Sequence, residues 1–129
     1  MSGNPMRWDC KRDGCFNAKR RPKTEVFSEC FGRGINFGDV DGIVERLGHF
    51  LLMEWKGEGG TLGVGQKRLH DALLALPSFT VVVVSGNAET MVVSNFVVRH
   101  RRATEKHSAG LDELKARIRA WYGWADKER

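Results

Sequence analysis

No stretch of this chain is built to cross a membrane. The valine run Val81 to Val84 falls far short of the ~20 apolar residues that a helical span needs. The opening Met1-Ser-Gly-Asn-Pro5 lacks the charged-then-apolar order of a secretory signal, so a cytoplasmic location is expected, as for a bacterial or virally encoded protein. Cysteine is scarce. Cys10, Cys15 and Cys30 would leave one thiol unpaired if disulfides formed, which favours free thiols. The Cys10 and Cys15 pair has no matching second pair, so a structural zinc ribbon is disfavoured. Internal repeats and low-complexity tracts are absent. These absences exclude membrane-spanning, disulfide-stapled and solenoid architectures.

What is present describes one globular domain. The chain has 129 residues, of which 41% are hydrophobic and 29% charged, enough for a hydrophobic core. Its formal charge is +5, which favours a polyanionic partner. The basic residues are clustered. Arg7 to Lys23 carries seven against two acids, and a second cluster runs Arg99-His100-Arg101-Arg102. Lys19, Arg20, Arg21, Lys67, Arg99, Arg101 and Arg102 are therefore the candidates for gripping nucleic-acid phosphates, with a salt-dependent and sequence-independent affinity.

Periodicity divides the chain into a basic arm (1–22), a core (23–99) and a C-terminal helix (111–125). Val26, Phe27, Cys30 and Phe31 predict a short helix over Lys23 to Phe31, and Ile35 to Phe37 suggests a short strand. A hairpin comes next, Asp39 to Arg46 and His49 to Lys56. Five glycines in Gly57 to Gly65 mark a loop. A helix is expected from Val64 to Leu76 with Leu69, Ala72, Leu73 and Leu76 as its buried stripe, which puts His70 on the surface. Pro77 ends it. The valine-rich run Phe79 to Ser85 reads as a strand buried on both faces, reached by a β-α-β crossover, and Thr90 to Val98 as another strand. Leu114, Ile118, Trp121 and Ala125 form the stripe of the last helix, with Trp124 beside it.

Two segments suggest chemistry. Gly60 to Lys67 approaches the phosphate-binding loop pattern, but the lysine comes one place late and Arg68 stands where a hydroxyl should hold magnesium. The hairpin carries the stronger signal. With Leu47-Gly48 at the turn, opposing positions sum to 95, so Asp41 faces Glu54 and Asp39 faces Lys56. All four then share one face, which is partly buried because Leu52 lies on it. Facing carboxylates repel, and a divalent cation removes that penalty.

Val40-Asp41, Glu54-Trp55-Lys56 and Gln66 opening the next helix resemble the motifs of the PD-(D/E)XK nuclease superfamily, nearest its Holliday-junction-resolvase-like and virus-type replication-repair branches. Val40 stands where the family name has proline. The resemblance spans Glu25 to Ser85 and implies an α/β, restriction-endonuclease-like core: a mixed central sheet flanked by helices in the order α-β-β-β-α-β. It implies that Asp41 and Glu54, with the backbone carbonyl of Trp55 and with Glu29 or Glu25, hold Mg²⁺ or Mn²⁺; Asp39 competes with Asp41 for that role, and Asp41 is preferred because the register sets it opposite Glu54. It implies that Lys56 positions the attacking water and that Gln66 stands beside the site. The expected activity is metal-dependent hydrolysis of DNA, branched DNA by preference, and a homodimer cutting two strands is compatible with it. Two other classes are carried forward: a nucleic-acid-binding protein without catalysis, and an interaction or inhibitor protein whose hairpin acids are incidental.

Overall fold

The turn that anchors the architecture is made by Leu47 and Gly48, both in the left-handed region at φ 50° and 84°. Two consecutive positive φ values match the right-handed twist of a two-residue hairpin. Glu45 reinforces it by accepting a 2.8 Å hydrogen bond from the Gly48 N–H. The strands on either side, β1 (Gly42–Arg46) and β2 (His49–Lys56), pair antiparallel with Gly42 opposite Met53 and Arg46 opposite His49, the register expected from the sequence.

This computed structural model describes residues 22–127. The chain divides into two compact units, Met1–Phe37 and Gly38–Arg129. The expected basic arm lies outside the described residues except for Pro22, and so do Cys10, Cys15, Lys19, Arg20 and Arg21. In the first unit the anticipated helix is a 3-10 helix, Thr24–Cys30, with no buried residue. Phe37 packs edge-on against Phe27 and Phe31, at 6.0 and 5.5 Å between ring centroids. The strand anticipated at Ile35 to Phe37 does not form. Arg33 and Gly34 turn the backbone at positive φ, and among the described residues no strand pairs with residues 35–37.

In the second unit β2 leads through the glycine loop into α1 (Val64–Leu74), then β3 (Phe79–Asn87), which pairs parallel with β2. β4 (Val92–His100) and β5 (Ala103–His107) come next as antiparallel neighbours, and α2 (Leu111–Ala125) closes the unit. The result is an α/β fold with a mixed five-stranded open sheet, ordered β1-β2-β3-β4-β5. Two strands, rather than the expected three, precede the crossover helix. β5 was not anticipated because its residues, Ala-Thr-Glu-Lys-His, carry neither alternation nor apolar character.

Strand alternation splits the core in two. One face sets Leu51, Val82, Val84, Phe96 and Val98 against Leu114, Trp121 and Ala125 of α2. The other sets Leu52, Val81 and Val83 against Leu74 of α1. β3 is buried from Thr80 to Gly86, as its valines require of a strand covered on both sides. Among the described residues no helix is long and apolar enough to cross a membrane.

Polar contacts tie the outer strand to α2. Glu105 of β5 takes two hydrogen bonds from Arg117, at 2.9 and 3.2 Å, and contacts His107 and His100. The Arg117 guanidinium, helped by His107, holds its carboxyl at about 2, well below the usual range. A depressed carboxyl contributes stability above pH 4.5 that is lost as pH falls through 2. Water screens this part-exposed pair, so Glu105→Gln should cost no more than about 1 kcal/mol at pH 7. Urea unfolding at pH 7 and at pH 3 should show that difference shrinking at the lower pH.

Candidate acidic cleft

Glu54 is the residue around which the site is built. It sits near the end of β2, opposite Val83, on the sheet face covered by α1, and is only 3% exposed. A lone carboxylate there is costly unless it is neutralised or paired. Burial, then a hydrogen bond with and the charge of Asp41, then the charge of Asp39, raise its pKa to about 7. Its Oε1 atom is buried and makes no hydrogen bond among the described residues.

Asp41 lies one position before β1, where the observed register would carry it opposite Glu54. Its Oδ2 accepts a 2.6 Å hydrogen bond from the Trp55 N–H, which fixes the carboxylate against the end of β2. Asp39, Asp41, Glu54, Trp55, Gln66 and Leu69 border a cleft of about 360 Å³. The Trp55 side chain points to the other face, packing toward α2 and donating from Nε1 to the Gly86 carbonyl at 3.2 Å.

Gln66 reaches this cleft because it opens α1. Its Oε1 accepts from the Gly63 N–H at 2.9 Å, half of a capping box, the other half being impossible because glycine has no side chain. This bond sets the helix entry beside the acids. One turn on, His70 is fully buried, with Nε2 3.5 Å from Oε1 of Glu54. That corrects the expected surface position. The buried side of α1 runs through Gln66, His70, Leu73 and Leu74, while Leu69 and Leu76 are exposed. The helix is rotated from its most apolar stripe because the facing strand presents Glu54 instead of a hydrophobe.

Burial, and then the charge of Arg99, lower the pKa of His70, opposed by Asp71. At 3.5 Å the pair is at ion-pair range, yet neither ring nitrogen of His70 makes a hydrogen bond among the described residues. Since burial disfavours charge on both partners, we assign a carboxylic acid facing a neutral imidazole just below neutral pH. In the sequence the i, i+4 spacing puts Gln66 and His70 on one side of the helix, but the leucine pattern hides that this side meets Glu54.

Lys56 comes two residues after Glu54 on the same face by alternation, but it borders an adjoining depression with Glu58, Ser85, Ser94 and Asn95. There Ser94 donates a 2.7 Å hydrogen bond to Glu58. Glu25 and Glu29 lie on the 3-10 helix of the first unit. Lys67 is exposed on α1, and Arg99 is held by Asp71 at 2.9 Å. Arg101 and Arg102 occupy the turn between β4 and β5. Cys30 is a free, exposed thiol.

The residues present fit a hard divalent cation in part. Among the described residues no three His, Cys, Asp or Glu side chains form a ready-made metal cage. Mg²⁺, however, usually takes one or two carboxylates and completes its shell with water and phosphate oxygens. Asp41 and Glu54, which both border the cleft, would supply those two. No family model, curated protein or solved structure matches this chain.

Proposed function

We propose that this chain is a metal-dependent deoxyribonuclease of the PD-(D/E)XK type, built on a restriction-endonuclease-like core. The observation that supports it best is the buried Glu54 beside an Asp41 carboxylate fixed by the Trp55 N–H, in an open cleft flanked by Gln66. A protein that needed only stability would not keep a carboxyl where burial and two neighbouring acids all raise its cost.

Bound Mg²⁺ or Mn²⁺ would acidify a water molecule and neutralise charge building on the scissile phosphate. The chain's own residues do the rest. Asp41 and Glu54, together with the Trp55 carbonyl, would hold the cation. Lys56, one alternate position beyond Glu54, supplies an ammonium that orients water and steadies the phosphate charge. Gln66 orders the helix entry at the cleft wall. His70 packs behind Glu54 and shuts water out from that side of the carboxyl. Lys67, Arg101, Arg102 and the basic arm draw DNA by its phosphates, branched DNA by preference.

Incubating the protein with plasmid and with a four-way junction, with and without Mg²⁺ or Mn²⁺, should show cleavage only with metal. Asp41→Asn and Lys56→Ala should each reduce the rate by about 100-fold or more. Cleavage that persists unchanged in both variants would overturn this assignment. DNA binding without cleavage under any metal would leave a non-catalytic nucleic-acid-binding protein on the same fold.

A further inference from the structure

A further cleft of the second unit lies apart from the acidic one. On the opposite face of the sheet, a cavity of about 450 Å³ opens between α2 and the β4–β5 turn. Thr80 at the start of β3 borders it, whereas Glu54 lies opposite Val83, three residues further along that strand. The two clefts therefore share no residue and face different layers.

Its walls combine two kinds of group. Arg101 and Arg102 are exposed and make no ion pair among the described residues, so both charges are available. Arg117 and His100 also border the cavity, but Glu105 occupies them. The aromatic wall is Trp121 and Trp124. Trp121 is buried, and its indole N–H has no hydrogen-bond partner among the described residues. Trp124 is 47% exposed, with its ring held at 4.3 Å from that of His49. A half-exposed indole and two unpaired guanidinium groups thus line one cavity. Together the two suit a ligand with a flat ring at one end and an anion at the other.

We propose that this cleft binds one unpaired nucleotide, its phosphate held by Arg101 and Arg102 and its base laid against Trp124. The inference deepens the nucleic-acid side of the proposed function, and adds a single-strand contact on the face away from the acids. Arginine pairs bidentately with phosphate, and every base offers a face to an aromatic ring, so recognition there is independent of sequence. Such a contact would favour substrates with unpaired nucleotides, such as flaps and single-stranded overhangs, over continuous duplex.

The test is binding, measured in EDTA so that it stands apart from cleavage. Fluorescently labelled dT10, an abasic decamer of equal charge and free dTMP are titrated against the full chain, Trp124→Leu, Trp124→Phe and Arg101→Ala/Arg102→Ala. Trp124→Leu should weaken dT10 binding roughly tenfold and leave the abasic decamer unchanged, and Trp124→Phe should restore most of the loss. The double arginine variant should weaken both decamers. Saturable dTMP binding that depends on the same residues would assign a free nucleotide as a ligand, and dT10 binding alone would assign a strand. Equal affinity for dT10 and the abasic decamer, or no effect of Trp124→Leu, overturns the proposal. Loss of metal-dependent cleavage elsewhere leaves it standing.

Discussion

Glu54→Gln should raise the stability of the protein in EDTA at pH 8 by up to about 3 kcal/mol, while reducing metal-dependent cleavage at least ~100-fold. Glu54 has a folded-state pKa of about 7 against 4.5 when unfolded. A group whose pKa is raised on folding favours the native state fully below the unfolded value and loses that contribution as pH rises through the folded value. Wild type should therefore lose stability between pH 4.5 and pH 7, and stay at the lower level above that. Glutamine has the same shape without the charge, so the Glu54 contribution is absent from its profile and the gap between the two proteins should widen across that window. The two proteins should converge at pH 4.5 and differ by roughly 10 °C in Tm at pH 8. Adding Mn²⁺ at pH 8 should stabilise wild type and leave the variant unmoved, since only an ionised pair attracts the cation. Parallel pH profiles for the two proteins would show that Glu54 is ionised and comfortable, and would remove the physical basis of the site.

Gly86→Ala is the second large effect, and it acts on the scaffold. The β3–β4 ladder shifts register between Ser85 and Gly86, with Ser85 opposite Asn95 and Gly86 opposite Val93, so Ser94 is the extra residue. A β-carbon at Gly86 would stand 2.2 Å from the Val92 carbonyl oxygen and 3.0 Å from the Val93 Cα. Both are backbone atoms and neither can rotate away. The strands must separate there, loosening the Trp55 bond to the Gly86 carbonyl and the Ser94 position beside Lys56. We expect a loss of about 2 kcal/mol or more, seen as a fall of roughly 5–10 °C in Tm. Gly123→Ala is the matched control. Nothing lies within 4 Å of an added β-carbon there, in α2, so it should stabilise by about 1 kcal/mol. If Gly86→Ala melts with wild type, the bulge is not the tight junction described.

The hairpin was legible because its information is local. A two-residue turn at Leu47-Gly48 sets the register, and alternation then decides which side chains share a face. The valines of β3 and the stripe of α2 were legible for the same reason: periods of 2 and 3.6 are written in neighbouring residues. β5 was hidden because its partner, not its composition, makes it a strand, and Glu105 is tied to an arginine on another element. The strand anticipated at Ile35 to Phe37 failed for the converse reason, apolar residues with no pairing strand among those described.

The amino-acid order alone determined the mixed α/β character, the hairpin register and the proximity of Asp41 to Glu54. Only the tertiary structure decided which side of α1 meets the sheet. Local apolarity favoured Leu69 and Leu76, but the facing strand offers a carboxyl, and the helix answers with Gln66 and His70. The depth of Glu54 results from that choice. A side chain's burial, and with it the cost of its charge, is set by what packs over it, which no window of sequence contains.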